Sequence, residues 1–263
     1  MPRRGCHPDP AFRPPTARAA AAMTVELRLF GSPAVAGRPG AEDLLSRPKR
    51  FAVLAWLACA QPTGFQRRDR AIGMFWPEHR EAAARNALRQ ALHHLRGVLG
   101  ADAIQTRGDD EVSVNPDVVH TDVAQFREAV AQGRLARALE LYRGDLLDGF
   151  HVRSDGFERW AAEERDRLHE LAATGAWTLA ERYETGGDPT SASRWARRAA
   201  RLARTDERRV RRVIQLLYRA GDRAGAVKVY EEFAEYLRRE FGVAPADETT
   251  RLVAAVREGR PAG

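Results

Sequence analysis

The sequence predicts a mainly α-helical protein whose N-terminal part belongs to the α+β class. The first observation is a stretch from Glu81 to Gly100 whose apolar residues recur every three or four positions, as on one helical face. The second is the alternation of apolar and polar residues on either side of the early helical stretches, which is typical of short strands. The third is a helical pattern that repeats after 34 residues in the second half of the chain.

Length and composition restrict the class of protein. The 263 residues suffice for two ordinary domains, and a hydrophobic content of 44% fits a soluble globular protein. A net charge of +7 favours a polyanionic partner, nucleic acid first. Cys6 and Cys59 lie far apart and predict neither a disulfide framework nor a zinc site. Because the sequence has no apolar run long enough for a membrane helix and no secretory signal, we expect a cytoplasmic protein that does not contact the membrane.

The domain organisation follows from composition. Residues 1–22 are rich in Pro, Arg and Ala and predict a disordered tail. Met23 is a candidate translation start, since ordered structure is expected directly after it. We expect the first domain over residues 23–118 and the second over residues 119–263.

The first domain begins with short strands. Val25, Leu27 and Leu29 alternate with their neighbours as in a half-buried strand, and 34–36 is expected to return beside it. Pro is acceptable at the first position of a helix, so a helix is expected from Pro48. The remaining elements are that helix to about Ala60, with Phe51, Leu54, Ala55, Leu57 and Ala58 as its buried side, a short helix from Arg67 to Phe75, the helix that begins at Glu81, and a hairpin over 103–106 and 111–114.

This order is that of a winged helix-turn-helix, in which the third helix enters the major groove and the hairpin forms the wing. Arg pairs with guanine and Asn or Gln with adenine in that groove. The candidate base contacts on the polar face of the third helix are Asn86, Arg89, Gln90 and His93. The candidate contacts to the DNA backbone or minor groove are Lys49, Arg67, Arg68, Arg70, Arg85, Arg96 and Arg107.

Each of these basic clusters also has a simpler interpretation. The polar face of the third helix is compatible with an ordinary solvated surface. Arg67, Arg68 and Arg70 crowd the first turn of a helix, where the dipole disfavours cations. An anionic ligand would explain that placement, and a solvated turn is the alternative.

Several motifs, taken in order, resemble a known family. Leu29-Phe30-Gly31, Phe75-Trp76-Pro77 and Asn86-Ala87-Leu88-Arg89 resemble the DNA-binding half of the SARP-type bacterial regulators, whose winged helix is similar to that of OmpR. Tyr142-Arg143-Gly144-Asp145-Leu146-Leu147 and Phe241-Gly242-Val243-Ala244-Pro245 resemble the bacterial transcriptional activator domain of that family. The resemblance implies binding to direct repeats of double-stranded DNA near a promoter and recruitment of RNA polymerase. It also implies that the helical half contributes to dimer or polymerase contacts, so a homodimer is a candidate assembly.

The second half contains an internal repeat of tetratricopeptide length. Gly187-Asp188 and Gly221-Asp222 lie 34 residues apart, as do Ala192 and Ala226. Gly133 begins a more degenerate unit. The aromatic residues of this half are expected in the core, with a peptide-binding groove as the alternative; they are Trp160, Trp177, Trp195, Tyr218, Tyr230 and Phe233. Two basic clusters are either solvated or contact flanking DNA or an acidic protein surface; they are Arg194, Arg197, Arg198 and Arg201, and Arg208, Arg209, Arg211 and Arg212.

The sequence predicts a DNA-binding transcriptional regulator, an activator by resemblance, rather than an enzyme. It has no P-loop and no Gly-x-Ser-x-Gly elbow. His93 and His94 are adjacent on a helix and cannot readily share a metal ion, so no catalytic residue, metal or cofactor is expected. One alternative is a tetratricopeptide-like protein-interaction scaffold whose winged helix does not bind DNA, supported by Asp109 and Asp110 at the wing tip. Another is a regulator that responds to a small molecule bound in the helical half.

Overall fold

The computed structural model describes residues 24–203 and 205–260. The predicted tail over 1–22 and the candidate start Met23 lie outside the described residues. Within the described residues the chain is mainly helical, with its strands confined to the N-terminal part, as predicted.

The elements alternate between strand and helix at first and are helical thereafter. The N-terminal elements are β1 (Val25–Arg28), β2 (Ala34–Ala36), α1 (Pro48–Cys59), β3 (Gln66–Arg67), α2 (Arg68–Phe75), α3 (Glu81–Leu99), β4 (Ile104–Arg107), β5 (Glu111–Val114) and β6 (Val119–Thr121). The helices that follow are α4 (Asp122–Ala131), α5 (Leu135–Leu141), α6 (Asp155–Thr185), α7 (Pro189–Leu202), α8 (Glu207–Arg219), α9 (Arg223–Phe241) and α10 (Asp247–Glu258).

The first sheet has the order β2-β1-β6. β1 pairs with β2 in antiparallel fashion, as expected of a return strand, and with β6 in parallel, with Val25 opposite Val119. The sequence analysis did not predict β6, because a strand of three residues between a turn and a helix has too short a pattern to be recognised. The domain boundary between residues 118 and 119 remains a prediction. β6 begins directly after that boundary, yet it belongs to the same sheet as β1 and β2.

The second sheet carries the predicted hairpin. β4 and β5 pair in antiparallel fashion around a turn at Gly108, and β3 adds a short strand on the other side of β5. Arg67 lies opposite Glu111 in this sheet, and the backbone N–H of Arg68 donates to the carbonyl of Asp110 at 2.8 Å. The start of α2 is therefore tied to the wing.

Helix α1 is more deeply enclosed than the sequence suggested. We expected one buried side that included Ala58, but Ala58 is only partly buried, whereas Ala52, Val53 and Trp56 are fully buried. The reason is that α2, α3, α4, β5 and the short 3₁₀ helix at Ala41–Ser46 all pack against α1. The predicted residues Phe51, Leu54, Ala55 and Leu57 are buried, and the buried surface extends beyond the side that they form.

The helical repeat is present in the second half. Gly187 and Gly221 both adopt left-handed backbone conformations, and each precedes an aspartate that caps the next helix. Asp188 accepts from the backbone N–H of Ser191 at 3.0 Å, and Asp222 accepts from that of Gly225 at 2.9 Å. Trp160, Trp195 and Phe233 are buried, while Trp177, Tyr218 and Tyr230 are partly buried against the same core.

The two parts of the chain share one hydrophobic core. Phe75 of α2 packs on Phe157 of α6, with ring centroids 5.6 Å apart, and Phe51 of α1 packs on Phe150 at 5.1 Å. The carboxylate of Asp122 accepts from the backbone N–H groups of Leu29 at 2.9 Å and of Phe30 at 3.1 Å. Burial raises the pKa of Asp122, and these backbone donors oppose that rise.

An ion pair with a buried carboxylate crosses the same junction. The Arg127 guanidinium of α4 donates one Nη2 bond to the Glu164 carboxylate of α6 and one Nη1 bond, at 2.8 Å, to the carbonyl of Cys59 at the end of α1. The side chain of Glu164 is 2% exposed. Arg127 therefore links three helices, one of them in the winged-helix part.

Close backbone packing at Gly156 yields a first prediction. A Cβ at this position would lie 2.9 Å from the carbonyl oxygen of Met74 and 3.1 Å from its Cα, in the neighbouring helix α2. Backbone atoms cannot move away cheaply, so we expect Gly156→Ala to lower the free energy of unfolding by about 1–3 kcal/mol. Urea unfolding of the full chain measures this change.

Gly73 provides the matched control. It lies within α2, and a Cβ added there would meet no heavy atom within 4 Å. Gly73→Ala should therefore be neutral or stabilise the protein by up to about 1 kcal/mol, through helix propensity. Equal effects of the two substitutions would contradict the close packing of α2 on α6.

Candidate nucleic-acid interface

Helix α3 separates its residues into a buried and an exposed face. The period of the helix places apolar side chains toward α1, α2 and the short 3₁₀ helices at Ala41–Ser46 and Ala101–Ala103. The buried residues of α3 are Ala84, Leu88, Ala91, Leu92, Leu95 and Leu99. The four candidate base contacts, Asn86, Arg89, Gln90 and His93, are all exposed. The structure thus brings them together on one accessible surface.

Two of these side chains already contact each other. The Nη2 of Arg89 donates to the Oδ1 of Asn86 at 2.8 Å. This bond joins residues three positions apart, which are neighbours on a helix surface. It leaves the amide nitrogen of Asn86 able to donate, so the pair can present donors to a base edge.

A cleft of about 570 Å³ lies beside this face, and it contains residues that the sequence interpretation missed. It is lined by Arg50 of α1 together with Arg89, Gln90, His93 and His94. Burial, followed by the positive charges of Arg50, Arg47 and His93, lowers the pKa of His94. The available signal was the basic run Arg47-Pro48-Lys49-Arg50, from which only Lys49 was selected.

The start of α2 places three candidate phosphate ligands beside the wing. Arg67 lies 3.6 Å from the carboxylate of Asp69 at an exposed position. Arg70 donates to the Oε1 of Gln66 at 3.1 Å and lies over the Trp56 ring, 5.8 Å from its centroid. The Nε of Arg68 is buried and has no hydrogen-bond partner among the described residues.

The wing carries Arg107 at the end of β4. Its Nε donates to the Glu111 carboxylate at 2.5 Å, and its guanidinium lies 4.6 Å from the centroid of the Phe65 ring. The hydrogen bond to Glu111 raises the pKa of Arg107. Asp109 and Asp110 are exposed at the tip, so the wing carries acidic as well as basic groups.

The other candidate phosphate ligands are engaged within the domain. Lys49 lies over the Trp76 ring at 5.4 Å, and burial lowers its pKa. Arg85 is exposed and pairs with Glu81 at 2.8 Å. The Nε of Arg96 donates to the carbonyl of Ile104 at 3.1 Å, which ties α3 to β4. The structure therefore gives Lys49 and Arg96 packing contacts that the sequence did not reveal.

No group of three or more metal-ligating side chains lies together in the part of the chain that the structure describes. None of the helices described there is long and apolar enough to cross a membrane.

Comparison with known proteins identifies a family and a solved structure of similar fold. The model of the bacterial transcriptional activator domain matches residues 117–257, which is more than half of the chain. The solved structure of Mycobacterium tuberculosis EmbR in complex with a low-affinity phosphopeptide is similar in fold, with a TM-score of 0.55 and 18% sequence identity. The similarity covers 90% of this chain and 66% of the EmbR chain, just under two thirds of its length. No curated protein matches the chain in sequence.

Proposed function

The chain belongs to the family of the bacterial transcriptional activator domain and is a SARP-type transcriptional regulator, and from that premise we propose that it binds specific DNA sequences through α3. In this proposal it binds promoter repeats as an activator and recruits RNA polymerase. The helical half contributes to contacts within a homodimer or with the polymerase.

The observation that carries the proposal is the exposed surface formed by Asn86, Arg89, Gln90 and His93. These side chains belong to the types that hydrogen-bond to base edges in the major groove. Their helix follows a short helix and precedes a hairpin, as in winged helix-turn-helix domains. The basic groups at the start of α2 and on the wing would then hold the phosphates on either side.

Selection of bound sequences from a pool of random duplex DNA tests this proposal. We expect enrichment of one repeated element, with base preferences at a few adjacent positions. Promoter DNA that contains two such elements should then support more transcription by RNA polymerase when the protein is added. Failure to enrich any sequence at low salt would contradict DNA recognition, whereas enrichment without stimulated transcription would contradict only recruitment.

Arg68 provides a prediction about the phosphate contacts. If Arg68 binds a phosphate, Arg68→Ala should weaken binding to operator and unrelated DNA by similar factors, because the backbone is the same in both. The slope of the logarithm of the binding constant against the logarithm of salt concentration should fall by about one. Gel shifts on both duplexes over a series of stated salt concentrations measure these effects. A loss confined to the operator would contradict the phosphate role.

One observation favours the second candidate function, a protein-interaction scaffold. Carboxylates lie next to several candidate phosphate ligands: Glu111 pairs with Arg107, and Asp69 lies near both Arg67 and Arg85. Such acids disfavour the close approach of phosphate groups. A chain that binds no duplex DNA but captures a protein partner through its helical half would support this alternative.

A further inference from the structure

Helix α7 carries an unusual concentration of positive charge. Its sequence, PTSASRWARRAARL, contains four arginines and no acidic residue. Arg194, Arg197, Arg198 and Arg201 are spaced by three, one and three residues, which places them along one side of the helix. The opposite side, including Ala192, Ala196 and Ala199, is buried in the core.

The structure distinguishes this cluster from the second one, on α8. There Arg209, Arg211 and Arg212 pair with the carboxylates of three acidic residues on other helices, Glu170, Glu248 and Glu181. Their charges are therefore largely balanced within the chain. Sequence alone does not separate the two clusters, because all three acidic partners are distant in the chain.

Two of the α7 arginines, Arg194 and Arg198, have contacts of another kind. Arg197 pairs with Asp222, but Arg194 lies over the Trp195 ring at 5.2 Å. The Nη2 of Arg198 donates to the carbonyls of Leu139 at 2.6 Å and Tyr142 at 2.9 Å. Aromatic faces and carbonyls orient a guanidinium but do not neutralise it as a carboxylate does. Within the described residues, Arg194 and Arg198 thus have no carboxylate at ion-pair distance, although the charge of Arg194 acts on Asp188.

Two clefts flank this arginine row and have different linings. One, of about 590 Å³, lies between the start of α7 and the α8–α9 turn, and Arg194, Arg197 and Asp222 are among its lining residues. The other, of about 450 Å³, is lined by Arg143, Arg198 and Glu140 and by the partly buried Leu202. A concave site that combines guanidinium groups with an apolar side chain can accept both acidic and apolar side chains of a ligand.

We propose that the α7 face and its two clefts bind an acidic peptide segment of a partner protein. Aspartate or glutamate side chains would lie on the guanidiniums of Arg143 and Arg194, which match carboxylates in a bidentate geometry. An apolar residue of the same segment would occupy the cleft beside Leu202. DNA phosphates fit this surface less well, since they would leave Leu202 uncovered and would lie close to Glu140. The proposal does not depend on DNA binding by α3.

Fluorescence anisotropy with the full chain tests the proposal. The probe is a fluorescein-labelled peptide of Asp, Glu and Gly with Leu at every third position, and the control peptide carries Asn and Gln in place of the acids. We expect saturable binding of the acidic peptide only. The double variant Arg143→Ala/Arg194→Ala should weaken that binding by about tenfold, because both residues are exposed and removable without a core change.

The matched control removes the same charge elsewhere. Arg208 and Arg251 are also exposed and line a separate cleft between α8 and α10. Arg208→Ala/Arg251→Ala should change peptide affinity by less than about twofold, since neither residue lines either α7 cleft and exposed charges without direct contact are screened by salt. A shared unfolding midpoint in urea establishes that both variants are folded.

Three outcomes would overturn the proposal. Equal losses in the two double variants would indicate general charge attraction rather than a site. Absence of saturable binding by the unaltered chain would remove the peptide as a ligand. If Arg143→Ala/Arg194→Ala leaves peptide binding intact but weakens binding to duplex DNA without an operator, the α7 face is a DNA surface instead.

Discussion

Substitution of Arg89 by Ala is expected to reduce the free energy of binding to the selected operator by about 1–3 kcal/mol, because one good bidentate contact to guanine has that value. The base preference at one position should relax at the same time. Since Arg89 also donates to Asn86 in the free protein, its removal also changes the surroundings of Asn86, which is itself a candidate base contact. A double-mutant cycle with Asn86→Ala, measured by gel shift at fixed salt, should therefore be non-additive.

Arg208→Ala is the control for this experiment. Arg208 is an exposed arginine on a helix of the second half, so its loss removes the same charge without touching α3. It should leave the preferred sequence unchanged. Unaltered base preference in Arg89→Ala and Asn86→Ala would show that another element reads the operator.

Arg127→Leu is expected to destabilise the folded chain by about 3 kcal/mol. The substitution removes one of the two guanidiniums that pair with the Glu164 carboxylate, whose side chain is 2% exposed, and leaves the exposed Arg167 at 3.3 Å as the other. It also removes the donor to the carbonyl of Cys59. Urea unfolding of the full chain, with the slope of each transition compared, measures the loss.

The variant Arg127→Leu/Glu164→Leu separates charge from packing. With both charges removed, the desolvation cost of the pair disappears, and stability should recover by several kcal/mol relative to Arg127→Leu. If the double variant is as unstable as the sum of the two single ones, the pair acts through packing volume and not through charge.

The periodic elements could be predicted because their own residues specify them. The Leu and Ala residues of α3 and the paired Gly-Asp turns before α7 and α9 identify both the helices and the repeat. The exposed position of Asn86, Arg89, Gln90 and His93 follows from that same period. Their proposed contacts with bases stay a prediction.

The remaining features depend on partners that are remote in the sequence. β6 is a strand because β1 lies beside it, and α1 is enclosed because five elements pack against it. Arg96 was grouped with the phosphate ligands, yet its Nε reaches the carbonyl of Ile104 across a tertiary contact. Arg50 joins the face of α3 only through the packing of α1 on α3. Local pattern cannot specify such pairs.

The shared sheet restricts how this architecture can be dissected or recombined. A fragment that stops before β6 would lose the parallel neighbour of β1 and the Asp122 carboxylate that accepts from Leu29 and Phe30. It would also expose Phe51 and Phe75, which pack on aromatic rings of the second half. A chimera that exchanges the winged-helix part must therefore include α4 and the beginning of α6 from the same protein.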